Sequence, residues 1–147
     1  MTGLALPDPV LVLLIGPAGS GKSTLARRLF APDEILSSDA FRAAIAGDEA
    51  DQRATKPAFA ALGRALERRL AARQRTVIDA TNVRAADRAS YLVAARRHGI
   101  PVAAIVLDLP REVVLARNAG RERVVDEAVI DRHLAALRRT LDEGLQS

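Results

Sequence analysis

The sequence predicts an α/β domain built on a parallel β-sheet flanked by helices. Short apolar runs alternate along the chain with longer stretches of helical period, which is the pattern of successive βαβ units. Most of the short runs are apolar throughout, as expected of strands that helices cover on both faces. The chain has 147 residues, 49% of them hydrophobic, so we predict one core and a single domain over residues 1–147.

Four segments have the length and composition of strands. They are Val10–Ile15, Glu34–Ser38, Thr76–Asp79 and Val102–Leu107. The chain ends just after its last predicted helix, where an architecture of this kind usually adds a fifth parallel strand. The sequence therefore predicts a sheet of four or five strands.

Five segments have helical period. They are Lys22–Phe30, about Lys56 to Gln74, Ala85–His98, Arg111 to about Gly120, and Asp126–Glu143. Thr55 is a predicted N-cap with Pro57 in the first turn of its helix. Gly99 followed by Pro101 is a typical stop signal after His98.

The composition excludes several classes of protein. The chain contains no cysteine, so it has neither disulfides nor thiolate metal sites, and a reducing, cytoplasmic location is expected. The longest apolar run, Val10 to Ile15, is far shorter than the roughly 18 to 20 residues of a membrane span. The segment from Met1 to Asp8 lacks the features of a signal peptide, so a soluble protein is expected.

The net charge of +4 comes from arginine, because Lys22 and Lys56 are the only lysines. An excess of arginine indicates anionic partners such as phosphates or nucleic acid. The alternative is that an Ala- and Arg-rich composition reflects a GC-rich genome. The positions of individual arginines must therefore decide between these interpretations.

The segment from Gly16 to Ser23 matches the pattern G-x-x-x-x-G-K-[ST] between a predicted strand and a predicted helix. In this setting the backbone N–H groups and the helix N-terminus attract phosphate oxygens. Lys22 is expected to reach the β- and γ-phosphates, and the Ser23 hydroxyl is expected to bind Mg²⁺. The alternative is a flexible glycine-rich turn. The residues predicted here to bind ATP are Gly16, Gly19, Ser20, Gly21, Lys22, Ser23 and Thr24.

A phosphate-binding loop of this kind occurs in kinases and in GTPases. A GTPase needs an N-K-x-D motif to read the base, and this string is absent from the chain. The sequence therefore favours a kinase.

The second predicted strand leads into the segment Ser37 to Arg42. The carboxyl ends of strands in such a sheet open onto the ligand crevice, so Asp39 is a candidate general base toward an attacking hydroxyl. Arg42 lies three residues later on the same side of a short helix, where it could hold a phosphate of the acceptor. The alternative is that Asp39 only caps that helix.

The third predicted strand ends at Asp79, a second carboxylate at the same edge. An acid at this place commonly orients Mg²⁺ or one of its water ligands, so we predict that Asp79 contacts the metal through water. The alternative is a turn residue, because Thr81 and Asn82 follow it.

Arginines also follow the fourth predicted strand. Arg117 and Arg121 are four residues apart and could share one helix face, so they could converge on a polyphosphate and close over ATP. The alternative is a solvated basic helix end. That interpretation is preferred for the paired arginines elsewhere, which are Arg68-Arg69, Arg96-Arg97 and Arg138-Arg139.

With these residues in hand, the chain resembles the 5′-kinase domain of the bacterial polynucleotide kinase-phosphatase of RNA repair, and more distantly the phage polynucleotide kinase. The resemblance covers essentially the whole chain and implies a P-loop kinase fold with adenylate-kinase-like topology. It rests on an ordered series of short motifs, namely Gly16–Ser23, Ser37–Arg42, Val77–Asn82, Leu109–Val113, Arg117–Arg121, Val129–His133 and Gly144–Gln146.

The resemblance implies a role for each matching residue. It makes Lys22 and Ser23 ligands of ATP and Mg²⁺, Asp39 the general base toward a 5′-hydroxyl, and Arg42 a contact to the next phosphate of the acceptor. It also implies that Val129 packs on the terminal nucleobase. The lid on the ATP phosphates would consist of Arg117, Arg121 and Arg123.

Two departures from the family pattern affect these expectations. The spacing between Arg121 and Arg123 along the chain is one residue shorter than in the family pattern. The match of Arg123 to the lid is therefore the weakest of the three. The family's final strand and its phosphatase and ligase modules are absent from the sequence. The expectation is a stand-alone kinase or one domain of a larger repair enzyme.

The favoured function is ATP-dependent phosphorylation of polynucleotide 5′-OH ends, with Asp39, Lys22 and Arg117 as catalytic residues. One alternative is a kinase of the same fold for a small molecule or a sugar nucleotide, because fold does not determine the acceptor. The other is a non-catalytic module that binds nucleotides, although such a module needs no base. RNA versus DNA preference and oligomeric state stay open.

Overall fold

The computed structural model describes residues 6–46, 55–120 and 124–143. In chain order its elements are β1 (Leu11–Ile15), α1 (Lys22–Leu29), a 3₁₀ turn (Pro32–Glu34), β2 (Ile35–Ser37), α2 (Ser38–Ala46), α3 (Thr55–Ala71), β3 (Thr76–Asp79), α4 (Ala85–His98), β4 (Val102–Val106), α5 (Arg111–Ala119) and α6 (Glu127–Glu143). Within these ranges, no helix is both long enough and apolar enough to cross a membrane.

The four strands form one parallel sheet in the order β2-β3-β1-β4. The predicted α/β class is therefore confirmed, and the described part of the sheet has four strands. Strands β1 and β3 occupy the centre, and all four carboxyl ends lie along one edge of the sheet. This edge collects the segments that follow each strand, as expected for a ligand crevice.

Strand β1 is buried on both faces, and its side chains alternate between two cores. Leu11, Leu13 and Ile15 face a large core that also contains side chains of α3, α4 and α6. Val12 and Leu14 face a smaller core formed mainly with α1. Helices therefore cover both faces at the centre of the sheet.

Strand β4 differs from the expectation that the apolar strands are covered on both faces. Val102 and Ala104 are exposed, although the strand itself lies where the sequence predicts. The reason is the position of β4 at the edge of the sheet, where Val106 packs against the large core but Val102 and Ala104 do not belong to it.

The predicted helices are all present, with ends that differ by up to three residues. Helix α4 has the predicted bounds, and Gly99 follows it with a φ of 65°. The prediction of Thr55 as an N-cap is wrong, because Thr55 already lies within α3. Its Oγ1 is buried and has no hydrogen-bond partner within the described ranges.

The connection from β3 to α4 is fixed by buried polar side chains. Asn82 has a φ of 53°, and its Nδ2 donates to the Leu14 carbonyl at 2.8 Å. Arg88 is buried on α4 and donates to the Asn82 carbonyl at 2.9 Å and to Thr140 Oγ1 at 3.3 Å. The Thr140 hydroxyl in turn donates to the carbonyl of Val83. This network attaches α6 to the carboxyl edge of the sheet.

Candidate active site

The loop from Gly16 to Ser23 joins β1 directly to α1, as the sequence predicts. Gly19 and Gly21 have φ values of 82° and 93°, which favour glycine because they lie in the left-handed region. Gly19 also lies against α5, where an added Cβ would be 3.1 Å from Asn118 Cβ. The loop is thus compact and packed rather than a flexible turn.

Two polar side chains of the loop are buried within it. Lys22 is 9% exposed, and its Nζ donates to the Pro17 carbonyl at 2.9 Å. Ser20 Oγ is buried and has no hydrogen-bond partner among the described residues. This oxygen lies against Gly16, where an added Cβ would be only 2.8 Å away, so position 16 has no room for a side chain.

Ser23 and Asp79 are brought together from α1 and the end of β3. The Ser23 hydroxyl donates to Asp79 Oδ2 at 2.6 Å. Mg²⁺ prefers hard oxygen ligands and is usually held by one or two protein oxygens together with phosphates and water. This pair of oxygens, next to the phosphate-binding loop, fits that requirement.

Asp39 and Arg42 lie on α2, immediately after β2. The Ser37 hydroxyl accepts a hydrogen bond from the Ala40 N–H at 3.2 Å, so Ser37 caps this helix. Asp39 instead lies in the first turn of α2 and forms an ion pair with Arg42. Their side chains are 34% and 14% exposed, respectively, so both can be reached from the cleft.

Arg117 lies in the last turn of α5, beside the phosphate-binding loop. Its Nη1 donates to the Ser20 carbonyl at 3.0 Å and would lie 3.0 Å from a Cβ added at Gly21. The structure therefore places this predicted lid residue at the loop. The other two, Arg121 and Arg123, lie outside the described residues.

Asn118, next to Arg117, fixes the start of the segment that leads to α6. Its side-chain Nδ2 donates to the Val125 carbonyl at 2.7 Å, and its Oδ1 accepts from the Val125 N–H at 2.9 Å. Asn118 belongs to the motif Arg117–Arg121, but the sequence predicts no function for it. These two hydrogen bonds connect α5 to the segment that leads into α6.

His133 is a site residue that the sequence analysis did not identify as functional. Its Nδ1 accepts a hydrogen bond from the Ala18 N–H at 3.2 Å, so α6 contacts the phosphate-binding loop. Burial, followed by the positive charges of Lys22, Arg84 and Arg132, lowers the pKa of His133 to about 4. The ring is therefore neutral near pH 7, with its proton on Nε2. The sequence signal that could have identified His133 is its place in the motif Val129–His133.

Most of these residues border one cleft with a volume of about 1690 Å³. Gly16 does not line it, because this residue is buried at the end of β1 and its N–H donates to the Thr81 carbonyl at 3.0 Å. The predicted site residues that line the cleft are Gly19, Ser20, Gly21, Lys22, Ser23, Thr24, Asp39, Arg42, Asp79, Arg117 and Val129. The structure thus brings the donor and acceptor sides of the prediction to one place.

The fold and the phosphate-binding loop together define a P-loop kinase, a class of enzyme that binds ATP. A model of the AAA domain family matches residues 11–143, so the chain belongs to this family. No curated protein matches the chain.

Solved structures share this fold. A chain of the Pnkp1/Rnl/Hen1 RNA repair complex is 22% identical with a TM-score of 0.81; the match covers 95% of the present chain and 48% of the other. A sugar kinase from Janibacter sp. HTCC2649 is 24% identical with a TM-score of 0.60, covering 89% and 78%. A gluconokinase from Sinorhizobium meliloti 1021 is 21% identical with a TM-score of 0.59, covering 90% and 77%.

The present chain thus spans about half the length of the RNA repair chain. The resemblance that the motifs indicated is confirmed at the level of the fold. At these identities, similar structures establish the fold and leave the acceptor open.

Proposed function

We propose that this kinase transfers the γ-phosphoryl group of ATP to the 5′-OH end of a polynucleotide. The observation that carries the proposal is the Asp39–Arg42 ion pair, which lines the same cleft as the phosphate-binding loop. A carboxylate suits a hydroxyl nucleophile, and an adjacent guanidinium suits a phosphate group. A polynucleotide 5′ end offers both groups on one nucleotide.

The donor side of the site would hold the triphosphate of ATP. The N–H groups of the loop and the Lys22 ammonium attract the phosphates, and Arg117 lies beside the loop to stabilise charge on the transferred group. Arg121 and Arg123 belong to the same proposed lid. Ser23 and Asp79 would hold Mg²⁺, which when bound neutralises negative charge on the phosphates.

In the reaction we propose, Asp39 orients the 5′-hydroxyl and accepts its proton. The hydroxyl oxygen forms a bond to the γ-phosphorus while the bond from that phosphorus to the β,γ-bridging oxygen breaks, and ADP leaves. Because Ser37 caps α2, the Asp39 carboxylate is not needed as the helix cap and can serve the acceptor.

On the acceptor side, Arg42 would bind the phosphate that follows the terminal nucleoside, and Val129 would pack on the terminal nucleobase. Val129 lines the cleft from α6, four residues before His133. The excess of positive charge agrees with a polyanionic acceptor. The similarity in fold to a chain of an RNA repair complex supports the same class of substrate.

A second candidate is phosphorylation of a small sugar-like molecule. The supporting observation is the sugar kinase from Janibacter, of whose chain the match covers 78%. A sugar hydroxyl would also need a base such as Asp39, but a sugar has no phosphate for Arg42. The two candidate functions therefore differ in whether Arg42 binds a phosphate of the acceptor.

The test compares a nucleoside 3′-phosphate with the bare nucleoside as acceptors of labelled phosphate from ATP. We expect the 3′-phosphate compound to have the higher kcat/KM. The Arg42→Ala variant should lose most of this preference, since a charge-assisted hydrogen bond contributes about 1.5–3 kcal/mol, or roughly tenfold to a hundredfold. Arg139→Ala, which removes an exposed arginine outside the cleft, is the matched control. Equal use of both acceptors by the unmodified enzyme would favour the sugar-like acceptor.

A further inference from the structure

The chain has very few aromatic side chains, and one of them differs from the others. There are three phenylalanines, one tyrosine and no tryptophan. Phe30, Phe41 and Tyr91 all belong to or pack against the hydrophobic cores. Phe59 is 38% exposed and lines the cleft. Tyr91 also lines the cleft but is buried, so Phe59 is the aromatic side chain whose ring is accessible to a ligand there.

Phe59 lies on a face of α3 that is separate from the core face of this helix. The core face consists of Ala58, Leu62, Leu66 and Leu70. Thr55, Phe59 and Gly63 are spaced four residues apart, so they follow one another along the helix, and all three line the cleft. The helix thus presents one aromatic ring to the cleft, between two small residues.

The position of Gly63 leaves room next to this ring. A Cβ added at Gly63 would meet no atom within 4 Å, although glycine in a helix interior is unfavourable. The space beside Phe59 is therefore open on the side of Gly63. A planar group could lie across the ring without contacting another side chain at that position.

Phe59 lies on the acceptor side of the cleft. Helix α3 packs against α2, which carries Asp39 and Arg42. Arg84, at the start of α4, adds a second cation to the cleft lining. The ring thus lines the same cleft as groups that suit phosphates, and this combination of an aromatic face with cations is typical of sites for single-stranded nucleic acid.

We infer that Phe59 and Gly63 form a stacking site for a nucleobase of the acceptor strand, on the 3′ side of the terminal nucleotide. The inference rests on the proposed function, which assigns the terminal base to Val129. Stacking on an aromatic ring is tolerant of base identity, because every base has a π-face. The site would therefore favour longer acceptors without selecting their sequence.

The experiment measures kcat and KM for two acceptors, a nucleoside 3′-phosphate and a 5′-OH hexanucleotide. Phe59→Ala should raise the KM for the hexanucleotide on the order of tenfold, as expected for loss of one stacked base. It should leave kcat, and the KM for the nucleoside 3′-phosphate, within about twofold. Phe59→Trp should restore the low KM, while Phe59→Leu, which keeps an apolar side chain without a π-face, should not.

Two further variants separate stacking from general packing. Gly63→Leu, which suits a helix but fills the open space, should also raise the KM for the hexanucleotide. Val93→Ala removes an exposed apolar side chain of α4 outside the cleft and should change neither constant. A hexanucleotide with 2-aminopurine at its second position should lose fluorescence on binding, and Phe59→Ala should abolish this quenching.

The outcomes distinguish this inference from the proposed function. If the unmodified enzyme phosphorylates the hexanucleotide and Phe59→Ala leaves its KM unchanged, the stacking site is wrong and the proposed function stands. If the unmodified enzyme phosphorylates neither acceptor, both are wrong. A KM increase that is equal for the two acceptors would also contradict stacking beyond the terminal nucleotide.

Discussion

His133 connects the phosphate-binding loop with the last helix through a single hydrogen bond. Its Nδ1 accepts from Ala18 N–H, and this contact requires a ring without a proton on that nitrogen. The surrounding charges of Lys22, Arg84 and Arg132 also disfavour a protonated ring. The residue therefore contributes to the site only in its neutral form.

This environment predicts how stability depends on pH. The pKa of His133 is about 4 in the folded protein, against an ordinary value of 6.5. Between these values the unfolded chain binds a proton that the folded chain does not, so the free energy of unfolding falls as the pH falls from 6.5 toward 4. We expect a loss of about 1–2 kcal/mol between pH 7 and pH 5 from this residue.

Urea unfolding at pH 7 and pH 5 measures this loss. The His133→Asn variant, whose Oδ1 can replace Nδ1 as the acceptor, should lose less stability than the unmodified protein over this range. The same loss in both proteins would show that His133 titrates normally in the folded state.

Much of the site at the residue scale could be predicted from local patterns. The phosphate-binding loop, Asp39 and Arg42 each follow a strand, and the sheet brings strand ends together. His133 could not be assigned in this way, because its partner Ala18 is 115 positions away in the chain. The cap of α2 is Ser37 and not Asp39. Ser37 lies two residues earlier and could have been recognised from the sequence as an alternative cap.

At the scale of elements, two glycines with no atom near their added Cβ provide a matched comparison. Gly63 lies inside α3, whereas Gly99 ends α4 with a φ of 65°. Gly63→Ala should raise the free energy of unfolding by about 0.5–1 kcal/mol, since alanine suits a helix interior. Gly99→Ala should lower it by about 1–2 kcal/mol, since L-residues are strained in the left-handed region.

Denaturant unfolding of both variants tests this comparison under identical conditions. The added methyl group is the same and makes no new contact in either case, so backbone conformation alone should set the sign. Changes of the same sign would contradict the structural account of one of the two helices.

The sequence predicted the elements well where the signals were local. The Gly99 and Pro101 stop signal predicted the end of α4, and the short runs between helical segments, most of them apolar, predicted all four strands. Exposure on β4 could not be predicted, because it depends on the strand order β2-β3-β1-β4, which no local pattern specifies. Thr55 was wrong as a cap because it already lies within α3.

At the scale of the whole molecule, the fold brings four strand ends and the start of α6 around one cleft. The buried Arg88 and Thr140 contacts attach α6 to the sheet, and this position places His133 and Val129 at the cleft. The family and the fold establish a P-loop kinase. The acceptor depends on a small number of side chains, so it must be tested through them.

The most direct test of the account is the rate at which labelled γ-phosphate passes from ATP to a 5′-OH oligonucleotide. The unmodified protein should label the 5′ end and should not label the same oligonucleotide when it already carries a 5′-phosphate. Asp39→Asn should still bind ATP but lose on the order of 10²- to 10⁴-fold in rate, whereas Lys22→Ala should lose both binding and transfer. Labelling of a sugar in preference to the oligonucleotide, or near-normal transfer by Asp39→Asn, would contradict the account.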